Sequence, residues 1–179
     1  KDAGLELGPR GHILVDENMM TSKDHIYAVG DAIQTKDLIF QEGASIALAS
    51  PANRQARTVA DRINGIDSKY KGVIGTSVAK VFDMTASSTG NNEKKLKQMG
   101  IENYETVHLH PLSNAGYYPT ANPMDLKLIF EVPSGKVLGA QAIGYTGVEK
   151  RIDVIATAIA AGMTVRELQD IELAYAPPF

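Results

Sequence analysis

A chain of 179 residues, 44% hydrophobic and 22% charged, has the make-up of an ordinary globular protein and length for one large domain or two small ones. Its formal net charge of −3 argues against a nucleic-acid surface, which carries a basic stripe, and its apolar runs fall far short of the about 20 residues that a membrane helix needs. With no cysteine, this stretch holds no disulfide, thiolate metal site or cysteine nucleophile. Lys1-Asp2-Ala3-Gly4-Leu5 has no apolar core of a signal peptide, so a cytoplasmic setting is expected.

In chain order, Gly8-Pro9-Arg10-Gly11 is a turn cluster and His12 to Asp16 a short strand. Ile26-Tyr27-Ala28-Val29 reads as a buried strand that ends in Gly30-Asp31. A polar loop near Gln34 to Asp37 leads towards a helix over 48–64. Ser50-Pro51 lies in its first turn, where proline is tolerated, and Ala52, Ala56, Val59, Ala60 and Ile63 form its apolar stripe. Gly65 supplies the stop. From Gly75 to Thr89 the pattern predicts one long strand. Asn92 caps a short helix that carries Leu96 and Met99 and ends at Gly100. Val107 and Leu109 alternate with His108 and His110 at strand period. Leu126 to Val132 and Val137 to Ile143 make a hairpin about the turn Pro133 to Lys136. Val148, Ile152, Ile155, Ile159 and Gly162 mark a helical stripe, Thr164 to Glu167 matches a capping box, and the tail Tyr175 to Phe179 is not helical.

The boundary between two units falls near Tyr70 to Gly75. The first unit has too few strands to complete a doubly wound sheet. Its strand edges need partners from elsewhere, which points to a fragment of a longer chain.

Thr21 to Asp31 is the most specific stretch. A carboxylate after a strand and a glycine sits where open α/β folds bind ligands, and it accepts hydrogen bonds from sugar-like hydroxyls. On Gly30-Asp31 alone, a plain strand with a turn aspartate is the simpler reading. The whole run Thr-Ser-Lys-Asp-His-Ile-Tyr-Ala-Val-Gly-Asp resembles the second FAD motif of the pyridine nucleotide-disulfide oxidoreductases. In that resemblance a later helix points its first turn at the flavin. Ile46 to Arg54 stands at that position, with Leu48, Ala49 and Ser50 beside the cofactor and an amide near Ala49 as donor to a flavin carbonyl. Without a ligand the same segment is simply a helix start.

Tyr117-Tyr118-Pro119 and Tyr175-Ala176-Pro177-Pro178-Phe179 taken singly are rigid loops with packed tyrosines. Together they resemble the dimerisation domain of coenzyme A-disulfide reductases. The resemblance implies two catalytic tyrosines reaching the partner subunit's flavin and disulfide site. Tyr175 fits the later one; Tyr117 fits the earlier by spacing, with Tyr118 as the alternative and a substrate contact. Asn53 stands where some of these reductases place a histidine that touches coenzyme A. Lys150-Arg151-Ile152-Asp153 matches a run of the family, and its charges read as solvated or in an interface ion pair. His108 and His110 lack a third ligand, so no metal site is expected.

The fold implied is α/β plus α+β: the end of a doubly wound FAD-binding domain, then a dimerisation domain of antiparallel sheet with flanking helices. Residues 1–15 correspond to the exit from an NAD-binding domain, 16–73 to the returning FAD-binding segment and 74–179 to the dimerisation domain. The implied parent is a homodimer using FAD and NAD(P)H to reduce coenzyme A disulfide or a related disulfide. Its glycine-rich FAD motif and redox cysteine would precede Lys1, and further chain would follow Phe179. The isolated chain is expected to turn over nothing. An NADH oxidase or peroxidase of the same fold is the enzyme alternative, and a dimerisation module without cofactor is the non-catalytic one.

Overall fold

The computed structural model describes residues 2–179. Lys1, named in the leader and in the first segment above, lies outside them. The chain forms two compact units, Lys1–Gly75 and Thr76–Phe179.

In the first unit β1 (Ile13–Leu14), β2 (Ile33–Lys36) and β3 (Gly43–Ala44) form a sheet in that order. β1 runs parallel to β2 with Ile13 opposite Ile33, and β3 runs antiparallel with Ala44 opposite Thr35. Met19, Ile33 and Tyr70 make the core, joined by Val15, Ala28 and Val59. Two expectations need correction here. The strand lies at Ile33–Lys36, where a polar loop was expected, while Ile26 to Val29 makes only the bridge of Tyr27 to Met20. Main-chain bonds from Thr21 to Ile26 and from Ala28 to Met19 close this segment on itself, and no longer ladder is available to it among the described residues. Gly30-Asp31-Ala32 is a single 3-10 turn at the amino end of β2. Asp31 therefore precedes a ladder strand and does not terminate one.

Helix α1 (Ala49–Ile63) has Leu48 as its cap and ends at Asn64, before Gly65 in the left-handed region. Its buried residues are Pro51, Gln55 and Thr58, whereas Ala56, Ala60 and Ile63 of the expected apolar stripe are exposed. Gln55 is buried because its side chain is committed to a hydrogen bond, described below.

The second unit is an antiparallel sheet of five strands in the order β4-β5-β8-β7-β6. β4 (Ser77–Val81) and β5 (Met84–Gly90) are a hairpin, which corrects the single long strand expected over Gly75 to Thr89. The chain reverses at Phe82-Asp83, with Phe82 at φ 52 and 94% exposed, so a residue that disfavours the left-handed region makes the turn without the usual Gly or Asn signal. Asn92 caps α2 (Glu93–Gln98) by accepting from the Lys95 amide at 2.9 Å, and Leu96 is fully buried. β6 (Tyr104–Leu109), β7 (Met124–Glu131) and β8 (Val137–Gly144) follow, β7 and β8 forming the expected hairpin.

Helix α3 (Val148–Ala160) packs on β5 and β8 with Val148, Ile152, Ile155, Ala158 and Ile159 buried. In β8, Ala140 and Ala142 are buried, and the alternate residues Gln141 and Ile143 are exposed, so the other face of the sheet is open. Gly139 is obligatory. A Cβ there would collide with the backbone of Asn91, which is wholly buried. α4 (Val165–Gln169) opens on the capping box expected at Thr164: the Thr164 amide donates to Glu167 Oε2 at 2.8 Å and Glu167 N donates back to Thr164 Oγ1 at 3.3 Å. The Thr164 amide and, at 2.9 Å, the Thr164 hydroxyl donate to the carboxylate and hold Glu167 below its ordinary pKa.

Candidate functional site

The residues singled out above fall into two groups, one in each unit. In the first unit the Gly30-Asp31-Ala32 turn packs against α1. Gly30 sits at φ 79, a conformation that strains any L side chain, and its amide donates to Gln55 Oε1 at 2.8 Å. That bond pins the turn to the helix. Gln55 also lies beside the Tyr70 hydroxyl without closing a full hydrogen bond to it, and burial raises the Tyr70 pKa. The Arg54 guanidinium stands 6.0 Å from the centre of the Tyr70 ring. Neither Gln55 nor Tyr70 was predicted. A glutamine on the helix face next to an obligate-glycine turn is the signal that would have found the first.

The start of α1 is unfinished. Leu48 offers no side-chain acceptor, the first turn holds no carboxylate, and Pro51 has no amide to donate. Ala49 and Ser50 are exposed, as is Asp31. This edge therefore presents uncapped first-turn amides and an accessible carboxylate, with the Gly30–Gln55 bond joining the two segments. Such a donor set suits a ligand with a hydroxyl and a carbonyl or anionic acceptor. Asn53 is exposed, one turn into the same helix.

In the second unit the loop after β6 and the carboxyl-terminal tail meet. Leu112 bridges Pro123, and Ser113 and Asn122 bond through the main chain at 2.8 Å, closing the neck of the loop. Asn114 Nδ2 then donates to the Pro177 carbonyl at 3.1 Å, tying loop to tail. The result sets Tyr117 beside Tyr175. The Tyr117 hydroxyl lies close to that of Tyr175, and this neighbour raises the Tyr175 pKa. Both rings stand out from the surface, 78% and 72% exposed. Tyr118 lies in the turns of the same loop, outside this pair.

Arg151 was expected to be solvated or in an ion pair. Instead its Nη2 donates to the Ser113 carbonyl at 2.7 Å. The histidines do not form a site: His110 lies beyond β6 and pairs with Asp125 at 2.5 Å, and among the described residues no cluster of three metal-ligating side chains exists. No helix among the described residues is long and apolar enough to cross a membrane.

A five-stranded antiparallel sheet with one long helix on a face is an α+β domain, here carrying an exposed tyrosine pair. The domain profile described as "Pyridine nucleotide-disulphide oxidoreductase, dimerisation domain" matches residues 76–179, and that of "Pyridine nucleotide-disulphide oxidoreductase" matches residues 1–56. The chain belongs to the pyridine nucleotide-disulphide oxidoreductase family. Among curated relatives, the coenzyme A disulfide reductase of Staphylococcus epidermidis is 36% identical over 180 residues, 100% of this chain and 40% of the relative. The chain thus spans well under half of the curated relatives it matches. The crystal structure of reduced Bacillus anthracis CoADR-RHD superposes with a TM-score of 0.95 at 58% identity, over 99% of this chain and 32% of that one. An NAD-dependent persulfide reductase from A. fulgidus gives a TM-score of 0.95 at 46% identity, over 99% and 33%. The water-forming NADH oxidase of Lactobacillus brevis gives 0.92 at 25% identity, over 99% and 39%.

Proposed function

We propose that this chain is the carboxyl-terminal part of an FAD-dependent, NAD(P)H-using disulfide oxidoreductase. Its substrate in this reading is coenzyme A disulfide or a related low-molecular-weight disulfide. The observation that carries the reading is the tyrosine pair: two exposed phenols from separate segments, brought together where Asn114 ties the loop to the tail. A phenol can hydrogen-bond a thiolate or a leaving sulfur without bearing charge itself.

In this reading residues 1–15 leave an NAD-binding domain, 16–73 complete the FAD-binding domain, and 74–179 dimerise. The exposed edge of the first unit fits the cofactor. Asp31 accepts from a sugar-type hydroxyl of FAD, Gly30 allows close approach, and the amides at Ala49 and Ser50, with Leu48 before them, face a flavin carbonyl. The flavin, when bound, supplies the two-electron chemistry, and the protein orients it. Tyr117 and Tyr175 serve the partner subunit's site, and Asn53 and Tyr118 contact the substrate.

The test is NAD(P)H-dependent reduction of coenzyme A disulfide by the intact flavoprotein carrying these residues. Tyr117→Phe and Tyr175→Phe are each expected to lower kcat about 100-fold. Turnover of both at the parent rate would sink the reading. The 46% identity to a persulfide reductase favours a second one, in which the same site reduces a persulfide. Sulfide release from a persulfide at a higher kcat/KM than disulfide reduction would select it. Oxygen consumption in place of both would select an oxidase.

A further inference from the structure

The tyrosine pair is held by contacts that begin far from it. Arg151, in the first turn of α3, donates to the Ser113 carbonyl at 2.7 Å. Ser113, 4% exposed, uses its hydroxyl twice: it donates to Asn114 Oδ1 at 2.7 Å and accepts from the Asn122 amide at 3.1 Å. The bond to Oδ1 fixes the orientation of the Asn114 amide group, which turns Nδ2 onto the Pro177 carbonyl at 3.1 Å. The tail beyond closes into a turn, with the Phe179 amide on the Ala176 carbonyl at 2.9 Å. Tyr117 lies three residues past Asn114, and Tyr175 two before Pro177.

We propose that Arg151 and Asn114 are positioning residues: the chain of contacts Arg151–Ser113–Asn114–Pro177 clamps the carboxyl-terminal tail to the loop, so that two otherwise independent exposed side chains share one geometry. The proposal rests on the role assigned to Tyr117 and Tyr175 above. Its physical logic is entropic. Exposed tyrosines on a loop and a tail sample many arrangements, and a contact between their hydroxyls is worth little unless both segments are already fixed. Arg151 suits the task because a planar guanidinium keeps its direction, and a helix-borne anchor is stiffer than a loop-borne one. Ser113 relays that direction because it is buried and all its polar contacts are taken up. Among these contacts Asn114 is the link that reaches the tail.

The test follows each tyrosine hydroxyl by fluorine NMR on the 179-residue chain carrying fluorotyrosine, with Tyr117→Phe and Tyr175→Phe supplying assignments. The Tyr175 titration should move down when Tyr117 becomes Phe. Asn114→Asp keeps the shape but turns an acceptor onto the Pro177 carbonyl; Arg151→Lys keeps the charge but loses the planar fork. Both are expected to bring the Tyr175 titration to its Tyr117→Phe position, after which Tyr117→Phe adds nothing. Retention of the full Tyr117 dependence in both variants overturns the clamp. Thermal melting separates this from a folding defect, and Asn114→Ala replaces either variant that does not fold. In the intact flavoprotein Asn114→Asp should lower kcat with the disulfide about 10-fold to 100-fold, with the KM for NAD(P)H unchanged. Lost coupling together with unchanged turnover in Asn114→Asp and both Phe variants would uphold the clamp and sink the role of the tyrosines. Slow Phe variants with a fully coupled, active Asn114→Asp chain would do the reverse.

Discussion

At the residue scale, Gly139 shows how little space separates the strands from the turn at Asn91. Any side chain there meets the Asn91 backbone, and Gly90 on the facing strand is equally confined by the Leu138 carbonyl. Gly139→Ala is expected to destabilise the second unit by about 3 kcal/mol, the upper range for forced overpacking, read as a drop in the urea midpoint. A variant with an unchanged midpoint would show that the strand can shift. Phe82 illustrates the opposite case. Its turn was not legible, because recognition of a two-residue hairpin depends on Gly, Asn or Asp in the left-handed positions, and here the strand pairing of Val81 with Met84 imposes that conformation on a phenylalanine. Arg151 was misread for a related reason. Its partner Ser113 is 38 positions away, so no local pattern could announce the bond.

At the element scale, local signals served well wherever the deciding contacts were themselves local. The cap at Asn92, the capping box at Thr164 and the β7–β8 hairpin all depend on neighbours within a few residues. The apolar stripe of α1 misled because Gln55 buries its side chain to hold Gly30, and periodicity alone cannot see such a bond. The candidate edge at Gly30, Asp31 and the start of α1 was legible as a motif, but its place in the ladder was not. α2 carries a prediction of pH dependence. The hydrogen bond from Lys127 chiefly holds the Glu93 carboxyl below its ordinary value of 4.5, and the two side chains are 32% and 20% exposed for Glu93 and Lys127. A carboxyl depressed in the folded state contributes stability above its unfolded pKa and loses it as pH falls through the folded one. Glu93→Gln should therefore lower stability at neutral pH by no more than about 1 kcal/mol, and the gap should close on acidification below the ordinary carboxyl range. Melting curves across that acid limb provide the measurement. A gap that persists in strong acid would assign the loss to packing.

At the scale of the whole molecule, each unit has its own sheet and its own long helix, and in the second a helix of 13 residues covers one face of the sheet. The open face of that sheet holds a groove of about 580 Å³ lined by His108, Asp125, Lys127, Gln141 and Ile143 among others. Under the function proposed above, the isolated chain should self-associate yet reduce no disulfide with NAD(P)H. Sedimentation and a coupled thiol assay check both statements. A monomer at high concentration would count against the dimer, and turnover by the chain alone would contradict its assignment as a part.

The unfinished start of α1 makes the helix a reporter. Where neither cap nor carboxylate steadies the first turn, whatever accepts its protons becomes the missing piece of secondary structure, and occupancy and helix length share one equilibrium. Solvent should exchange the Ala49 and Ser50 amides quickly in the bare chain. It should exchange them slowly once an acceptor is seated, so those two positions would act as a built-in gauge of how full the edge is.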